Sequence, residues 1–418
     1  MNILYGIFVT LVWFLSTYFS IVMLLIILTE KPKFFKNPVF YSSDKIPKVS
    51  ILVPVYNEGE NVIETIDSLN LVDYPKDKLE IIILNDGSKD NTSDVVNLAL
   101  KRKDIIKNMI FIDNSKNKGK AATLNQGIDL ASGEFVATMD GDSEVPPDIL
   151  KKMIPFFKKK DVGAVTVTVE LKNPKTFLQK IIEIEYVIGL SLALKALSLF
   201  NAVHVTPGPF SIYRKRVLDN IGGFDVNNIT EDHEIALRIY KSGYRIENCA
   251  STKVRTISPG TFKELYVQRK RWYTGSLLTL WQHKDIVFKK KYGVFSFIYP
   301  YTYILVTSGL LLFTYTLFLS LRNIVRMFSY YRLTNFNFFS NLSFEMVDIL
   351  TISSLTFFGV LAILMTITFA SVCMSVAKKD IKTRVPGFLG FVFLFFLYQI
   401  FWGSSIISAL TRRKVKWR

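Results

Sequence analysis

Four stretches of this chain carry no charged residue and are long enough to cross a lipid bilayer: Ile3–Thr29, Tyr292–Leu321, Ile349–Ala377 and Val385–Thr411. A helix needs about 20 apolar residues to span the hydrocarbon core. Residues 31–291 lie between the first two and carry ordinary charge. The division predicts an N-terminal anchor over 1–30, a polar domain over 31–291 and a C-terminal membrane region over 292–418. The first stretch has no basic n-region and no small-x-small cleavage site, and is longer than a signal-peptide core. It reads as a retained anchor.

The net charge is +17. Much of the excess sits beside the apolar stretches, at Lys31, Lys33 and Lys36 and again at Lys289, Lys290 and Lys291. By the positive-inside rule the polar domain faces the cytoplasm of a multi-pass protein in the plasma membrane. The basic residues form no stripe with interleaved aromatics, so no nucleic-acid partner is expected. Cys249 and Cys373 lie in different regions, which excludes a disulfide framework or a zinc site and suits a reducing compartment.

Within the polar domain, apolar runs and helical periodicities alternate. Residues 48–55, Leu79–Leu84, Met109–Ile112, Glu134–Met139 and 162–170 read as strands. Glu60–Leu69, Thr92–Leu100 (capped by Asp90 or Asn91) and Lys120–Leu130 read as helices. The alternation predicts a parallel, doubly wound sheet. Polar loops follow the strand C-termini: Tyr56-Asn57-Glu58, Asp86-Gly87-Ser88, Asn117 to Lys120, and Asp140-Gly141-Asp142. Such a rim is where open α/β sheets hold ligands. No GxGxxG follows the first strand and no GxxxxGK[ST] occurs, so dinucleotide and P-loop folds are excluded. On this rim Asp86 suits a base or ribose. Lys118 and Lys120 suit a pyrophosphate. Asp140 and Asp142, spaced i, i+2, suit a hard divalent cation, although turns use the same residues.

Further along, Phe177–Phe200 reads as a long helix lying against the membrane or the spans, or equally as a buried core helix. Gly208–Arg214 is a turn entering a strand. Thr230-Glu231-Asp232 opens a helix, with Thr230 placed to cap it and the acids favoured by the helix dipole. A carboxylate fixed there also suits a general base. His233 reads as a helix-surface residue, and His204, His283 and Cys249 as structural. Gln268, Arg271 and Trp272 fall on one helical face. Arg271 offers a planar fork for phosphate. Trp272 offers a flat face for a sugar, though a basic interfacial helix has the same composition.

In order and spacing these motifs resemble the membrane-embedded family 2 glycosyltransferases: cellulose, chitin, hyaluronan and poly-N-acetylglucosamine synthases. The matching series is Asp86, Asp140-x-Asp142, Thr230-Glu231-Asp232 and Gln268-x-x-Arg271-Trp272. It is flanked by Pro54 to Glu58, Gly119-Lys120-Ala121 with Leu124-Asn125, and Gly208 to Arg214. The resemblance covers roughly 47–285. It implies a GT-A fold, an α/β Rossmann-like domain on a mixed sheet, joined to an α-helical transmembrane region. Helices near 176–200 and 262–285 would lie at the interface. It also implies a nucleotide-diphosphate sugar donor and Mg²⁺ or Mn²⁺. On this pattern Pro54, Tyr56, Glu58 and Asp86 hold the nucleoside, and Lys120 lies near the donor phosphates. Asp142 ligates the metal with Asp140 beside it, and Asp232 is the base, next to Glu231. Gly208 and Gln268 line the substrate site, Arg271 meets the leaving diphosphate and Trp272 stacks under the acceptor. The expected reaction is inverting transfer to a growing β-linked polysaccharide. The alternative is a single addition to a lipid-linked acceptor. The Thr-Glu-Asp form departs from hyaluronan and rhizobial chitin synthases, and there is no cellulose-synthase regulatory domain.

Simple alternation of the spans puts the basic tail Arg412–Arg418 outside, against the positive-inside rule. One segment, foremost Tyr292–Leu321 with Pro300 inside it, is then interfacial or re-entrant. A cysteine at Ser320 tests this. Labelling by a membrane-impermeant maleimide from outside is expected only if the segment crosses.

Overall fold

In the computed structural model, residues 3–40, 46–105, 108–333, 354–379 and 385–411 are described. The tail Arg412–Arg418 lies outside them. After helix α1 (Ile3–Thr29) and a short turn of helix α2 (Lys31–Phe34), the chain enters an α/β domain. Its elements run β1 (Val49–Val55), α3 (Asn61–Asn70), β2 (Leu79–Asp86), α4 (Thr92–Leu100), β3 (Met109–Asn114), α5 (Lys120–Leu130) and β4 (Phe135–Thr138). Next come α6 (Ile149–Met153), β5 (Val162–Leu171), α7 (Phe177–Tyr186), α8 (Leu194–Leu199), β6 (Ser211–Arg214), α9 (Lys215–Ile221), α10 (Glu231–Lys241) and β7 (Arg245–Thr256). Helices α11 (Phe262–Gln282), α12 (Phe295–Leu333), α13 (Ser354–Val376) and α14 (Val385–Leu410) follow.

The strands form one seven-stranded sheet in the order β3-β2-β1-β4-β6-β5-β7. Strands β1 to β4 pair in parallel, as the alternation predicts. The second half departs from that expectation. Strand β6 runs antiparallel to both β4 and β5, so the sheet is mixed. Strand β7, which sequence periodicity missed, lies on the far edge parallel to β5. Its polar sequence, RIENCASTKVRT, has no apolar run to mark it.

Side-chain alternation along the strands builds two cores. Ile51, Val53, Ile81 and Ile83 pack with Val62, Ile66, Leu69 and Val96 of α3 and α4. Leu52, Ile82 and Leu84 face the opposite way, onto Ala121, Leu124 and Ile128 of α5. All seven residues of β1 are buried, as strands covered on both faces require. The N-terminus of α4 is satisfied by Asp90, whose Oδ1 accepts the Thr92 amide at 3.0 Å, while Asn91 makes no side-chain cap.

The 177–200 segment is one helical rod in which Val187–Ala193 is π-helical. Its buried residues pack against β5 of the sheet and also against α13 and α14, so the segment is set both into the core and against the C-terminal apolar helices. Lys195, which interrupts the apolar pattern, is buried and donates to the Asn248 carbonyl at 2.8 Å.

Among the described residues, Leu4–Thr29 and Phe295–Leu333 are long and apolar enough to cross a membrane, while Val360–Val376 and Phe396–Leu410 are shorter apolar helices. Helix α12 runs through Pro300 without a break over 39 residues. Proline has no N–H to give the Ser296 carbonyl. That carbonyl instead accepts the Phe288 amide at 2.9 Å.

Arg214 closes the middle of the sheet. Buried, it donates to the carbonyls of Val162 (3.3 Å), Phe157 (2.9 Å) and Lys159 (3.3 Å) and lies over the Phe135 and Phe157 rings. Removing it strands buried carbonyls. Arg214→Met is expected to lower stability by about 2–4 kcal/mol, read as a lower thermal-unfolding midpoint.

Candidate active site

The rim loops are tied to one another by hydrogen bonds. The β1 loop leaves Pro54 buried and Tyr56 and Glu58 partly exposed. Asn57 takes a left-handed conformation (φ 54°). Its amide donates to Ser88 Oγ at 3.0 Å, and its Oδ1 accepts the Lys89 amide at 2.8 Å. The Glu58 and Gly59 amides donate to Thr92 Oγ1 at 3.0 and 2.9 Å. Asp86 is buried, and its two oxygens accept the amides of Lys118 (2.7 Å) and Gly119 (2.9 Å). It therefore sets the corner from which α5 starts and keeps its remaining lone pairs for other donors. Gly87 (φ 67°) is required there, because a Cβ would lie 2.6 Å from the backbone of Lys116 and Asn117.

Beyond β4, the Asp140 amide donates to the Gly208 carbonyl at 3.1 Å. Thr65 Oγ1 lies 2.8 Å from the carbonyls of Gly141 and Ser143. Asp142 Oδ1 accepts from Thr256 Oγ1 at 3.2 Å. Lys120, the first residue of α5, reaches across the rim. Its Nζ lies 2.5 Å from Asp140 Oδ1 and 3.1 Å from Glu231 Oε1. Burial lowers its proton affinity, but Asp140, Glu231 and Asp232 outweigh that and hold the ammonium above its ordinary range. Gly208 packs on this contact, and a Cβ there would meet Asp140 Oδ2 and Lys120 Nζ at 2.8 Å each.

Helix α10 brings Glu231 and Asp232 to the same place. Thr230 stands at the N-cap position but does not cap with its side chain. Its hydroxyl donates to Asn228 Oδ1 at 3.1 Å, and the same oxygen accepts the Thr230 amide at 2.9 Å. The Thr230 side chain fills the space where Gly275 of α11 lacks a Cβ. The Asp232 carbonyl accepts from the Thr206 amide (3.1 Å) and hydroxyl (2.7 Å), which fixes the helix start. Burial, and then Glu231, push the Asp232 carboxyl up to about 6, against the pull of Lys120 and Arg271. His233 is buried rather than on the helix surface, because its side of α10 faces His204 and Tyr299. Burial, then His204 and His283, hold it down to about 3, so it stays neutral. His283 pairs with Glu234 at 2.9 Å, a structural contact.

Helix α11 adds the last group. Arg271 Nη1 lies 3.4 Å from the Ile229 carbonyl, just before Thr230. Gln268 Oε1 is buried with no hydrogen-bond partner among the described residues. Trp272 packs against the first core. Lysine, acids and arginine thus converge from α5, the β4 loop, α10 and α11. Such an arrangement can bind an anionic group and can present a carboxylate to a proton donor.

Residues 50–222 match the family model described as Glycosyl transferase family 2. This is a family 2 glycosyltransferase domain. The chain is 33% identical over 276 residues to a poly-beta-1,6-N-acetyl-D-glucosamine synthase of Staphylococcus epidermidis, covering 65% of this chain and 63% of that protein. A synthase of the same name from Staphylococcus aureus is 33% identical over 251 residues, covering 58% and 60%. The chain thus spans less than two thirds of these relatives' length. Its fold matches that of the mannosyltransferase PcManGT from Pyrobaculum calidifontis at a TM-score of 0.60 and 18% identity, over 96% of this chain and 99% of the other. The glycosyltransferase domain has the GT-A fold, on a mixed sheet.

In this domain Asp140 and Asp142 present hard oxygen donors on one loop. That set suits Mg²⁺ or Mn²⁺, whose shell phosphates and waters complete. No group of three or more His, Cys, Asp or Glu among the described residues is placed to hold an ion by itself. Sequence reading missed Thr206, Thr256, Glu185, Arg269 and Tyr398. Their neighbours in space are 26 to 213 residues away in sequence. Only Arg269 carried a local signal, lying inside the Gln268–Trp272 run.

Gly208→Ala forces Lys120 and Asp140 apart. It is expected to lower sugar transfer about 10- to 100-fold, with the unfolding midpoint shifted by only a few degrees or about that. Donor turnover and a melting curve on the same sample check this.

Proposed function

We propose that the protein is an inverting, membrane-bound hexosyltransferase. It moves N-acetylglucosamine from a nucleotide-diphosphate donor to a hydroxyl of a growing β-linked polysaccharide. The observation that carries the reading is the convergence of Glu231 and Asp232 at the start of α10 with Lys120, Asp140 and Arg271. The names of the synthase relatives support the sugar and the polymer. The PcManGT structure, solved with GDP-Man and Mn2+, supports a nucleotide sugar and a divalent ion.

In this mechanism Pro54, Tyr56, Glu58 and Asp86 bind the nucleoside end of the donor. Lys120 and Arg271 face the diphosphate, Gly208 lets the donor approach the Lys120–Asp140 contact, and Gln268 and Trp272 hold the acceptor. Asp142, with Asp140, holds Mg²⁺ or Mn²⁺, which neutralises diphosphate charge when bound. Asp232 accepts the proton of the acceptor hydroxyl. The acceptor oxygen forms a bond to the anomeric carbon as the bond to the diphosphate breaks, and the nucleoside diphosphate leaves. One displacement inverts the anomeric centre, so no second carboxylate serves as nucleophile. Ion pairing with Lys120 keeps Glu231 out of proton transfer and lets it shape the Asp232 field. The catalytic domain faces the cytoplasm. Helices α1 and α12 to α14 hold it in the bilayer, and no nucleic acid takes part.

The test is release of nucleoside diphosphate by detergent-purified protein offered a panel of nucleotide sugars with Mg²⁺ or Mn²⁺. Asp232→Asn is expected to lose about 10²- to 10⁴-fold in turnover. Turnover that survives in the mutant rejects Asp232 as base. Product size separates a polymer from a single addition to a polyprenyl-phosphate or other lipid-linked acceptor. The base works only when ionised. In the wild type, kcat/KM should therefore rise with pH through about 6 and level off above it. A flat profile between pH 5 and pH 8, or about that, excludes a titrating base with this proton affinity.

A further inference from the structure

The Gln268–Trp272 run contains two residues that the proposed mechanism does not use, Arg269 and Lys270, and the first of them is buried. Arg269 is fully buried, its side chain 0% exposed. Its guanidinium carbon lies 4.0 Å from the centroid of the Trp272 ring. Nη2 donates to Glu185 Oε2 at 2.9 Å. The Tyr398 hydroxyl donates to the same Glu185 oxygen at 2.6 Å and lies 3.5 Å from Arg269 Nε. Three helices meet here. Glu185 is the last residue but one of α7, two residues before the π-helical segment, Arg269 comes from α11 and Tyr398 from the apolar helix α14. A cation this deep costs several kcal/mol in desolvation and stays only where its geometry is satisfied. A Met of similar volume would serve a purely packing role. The arrangement places a fixed positive charge against one face of an indole, where the ring quadrupole attracts it.

We propose that Arg269, held by Glu185 and Tyr398, is a positioning residue that fixes the Trp272 indole as the platform for the acceptor sugar. The proposal rests on the transferase reading above. The guanidinium covers one indole face, and in this proposal the pyranose stacks on the other. Arg269 Nη1 is buried with no hydrogen-bond partner among the described residues, so a donor remains near the indole. Because Tyr398 sits on α14, the same contact links the orientation of the acceptor platform to the packing of a membrane-region helix. Glycan affinity on the acceptor side, and not donor affinity, is what this device sets.

The experiment is a double-mutant cycle between Arg269→Met and Trp272→Ala in detergent-purified full chain. Its probes are UDP-N-acetylglucosamine as donor and an N-acetylglucosamine oligosaccharide as acceptor. Arg269→Met is expected to raise the acceptor KM about 10-fold while the donor KM stays within about 2-fold. In the Trp272→Ala background it should add less than about 2-fold, since a residue acting through Trp272 has nothing left to act on. Arg269→Lys, which keeps the charge, should recover part of the loss. If Arg269→Met does not fold, Tyr398→Phe and Glu185→Gln read the same split with smaller changes in volume. Donor and acceptor KM rising together, or effects that multiply in the double mutant, overturn the proposal. Trp272 fluorescence, isolated by difference from Trp272→Phe, reads the contact without turnover. Arg269→Met should increase its acrylamide quenching, and identical quenching also overturns the proposal. A wild type that consumes no donor rejects the transferase reading, while the quenching comparison still decides on Arg269.

Discussion

The site depends on one half-buried ammonium. Lys120 joins Asp140, at the end of β4, to Glu231, at the start of α10. Without it, three carboxylates would face one another across a poorly solvated cleft. Two of them, or a helix terminus, would have to move apart. With it, Glu231 stays paired, and the same ammonium limits how far burial and Glu231 raise the proton affinity of Asp232. The same contact explains Gly208, the only residue type that leaves room for both partners at that point. One interaction thus sets the spacing of the rim and the choice of a backbone residue, and it tempers the proton affinity of the proposed base.

Around that centre the loops are held mostly by main-chain groups. Asp86 orders the start of α5 through two amides, Thr92 orders the β1 loop through two more, and Thr206 holds the start of α10. Rim residues are therefore preorganised by polar contacts to backbone, which resist displacement better than contacts between mobile side chains. Helix α11 then serves two regions at once. Its Gly275 receives Thr230 of the site, while its Arg269 and Tyr266 reach Tyr398 and Ser404 on α14. Helix α11 thus joins the rim to α14 by direct contact.

Much of the domain was legible because its signals are local. The apolar runs of β1, β2 and β5 and the periodicity of α3, α4 and α5 arise from burial of both sheet faces, and residues 120–130 form the helix their spacing predicts. The motif residues also converge, since loops after parallel strands share one rim. What failed to show were elements without local contrast. Strand β7 is polar and gains its place only by pairing with β5. Reversal of β6 leaves no trace in a four-residue sequence. Thr230 and His233 were misread for a related reason. A cap and a surface histidine are inferences from a helix in isolation, and Asn228, Gly275, His204 and Tyr299 come from elsewhere.

By itself, then, the sequence determined the division into apolar and polar regions, the α/β class and the chemical types on the rim. Composition and periodicity are properties of neighbours along the chain. Tertiary structure alone decided which charges pair. It set Lys120 against Asp140 and Glu231, raised Asp232 by burial, and paired the buried Arg269 with Glu185. Those outcomes follow from desolvation and from Coulomb interactions that act over a few ångströms of space, between residues that no spacing rule connects.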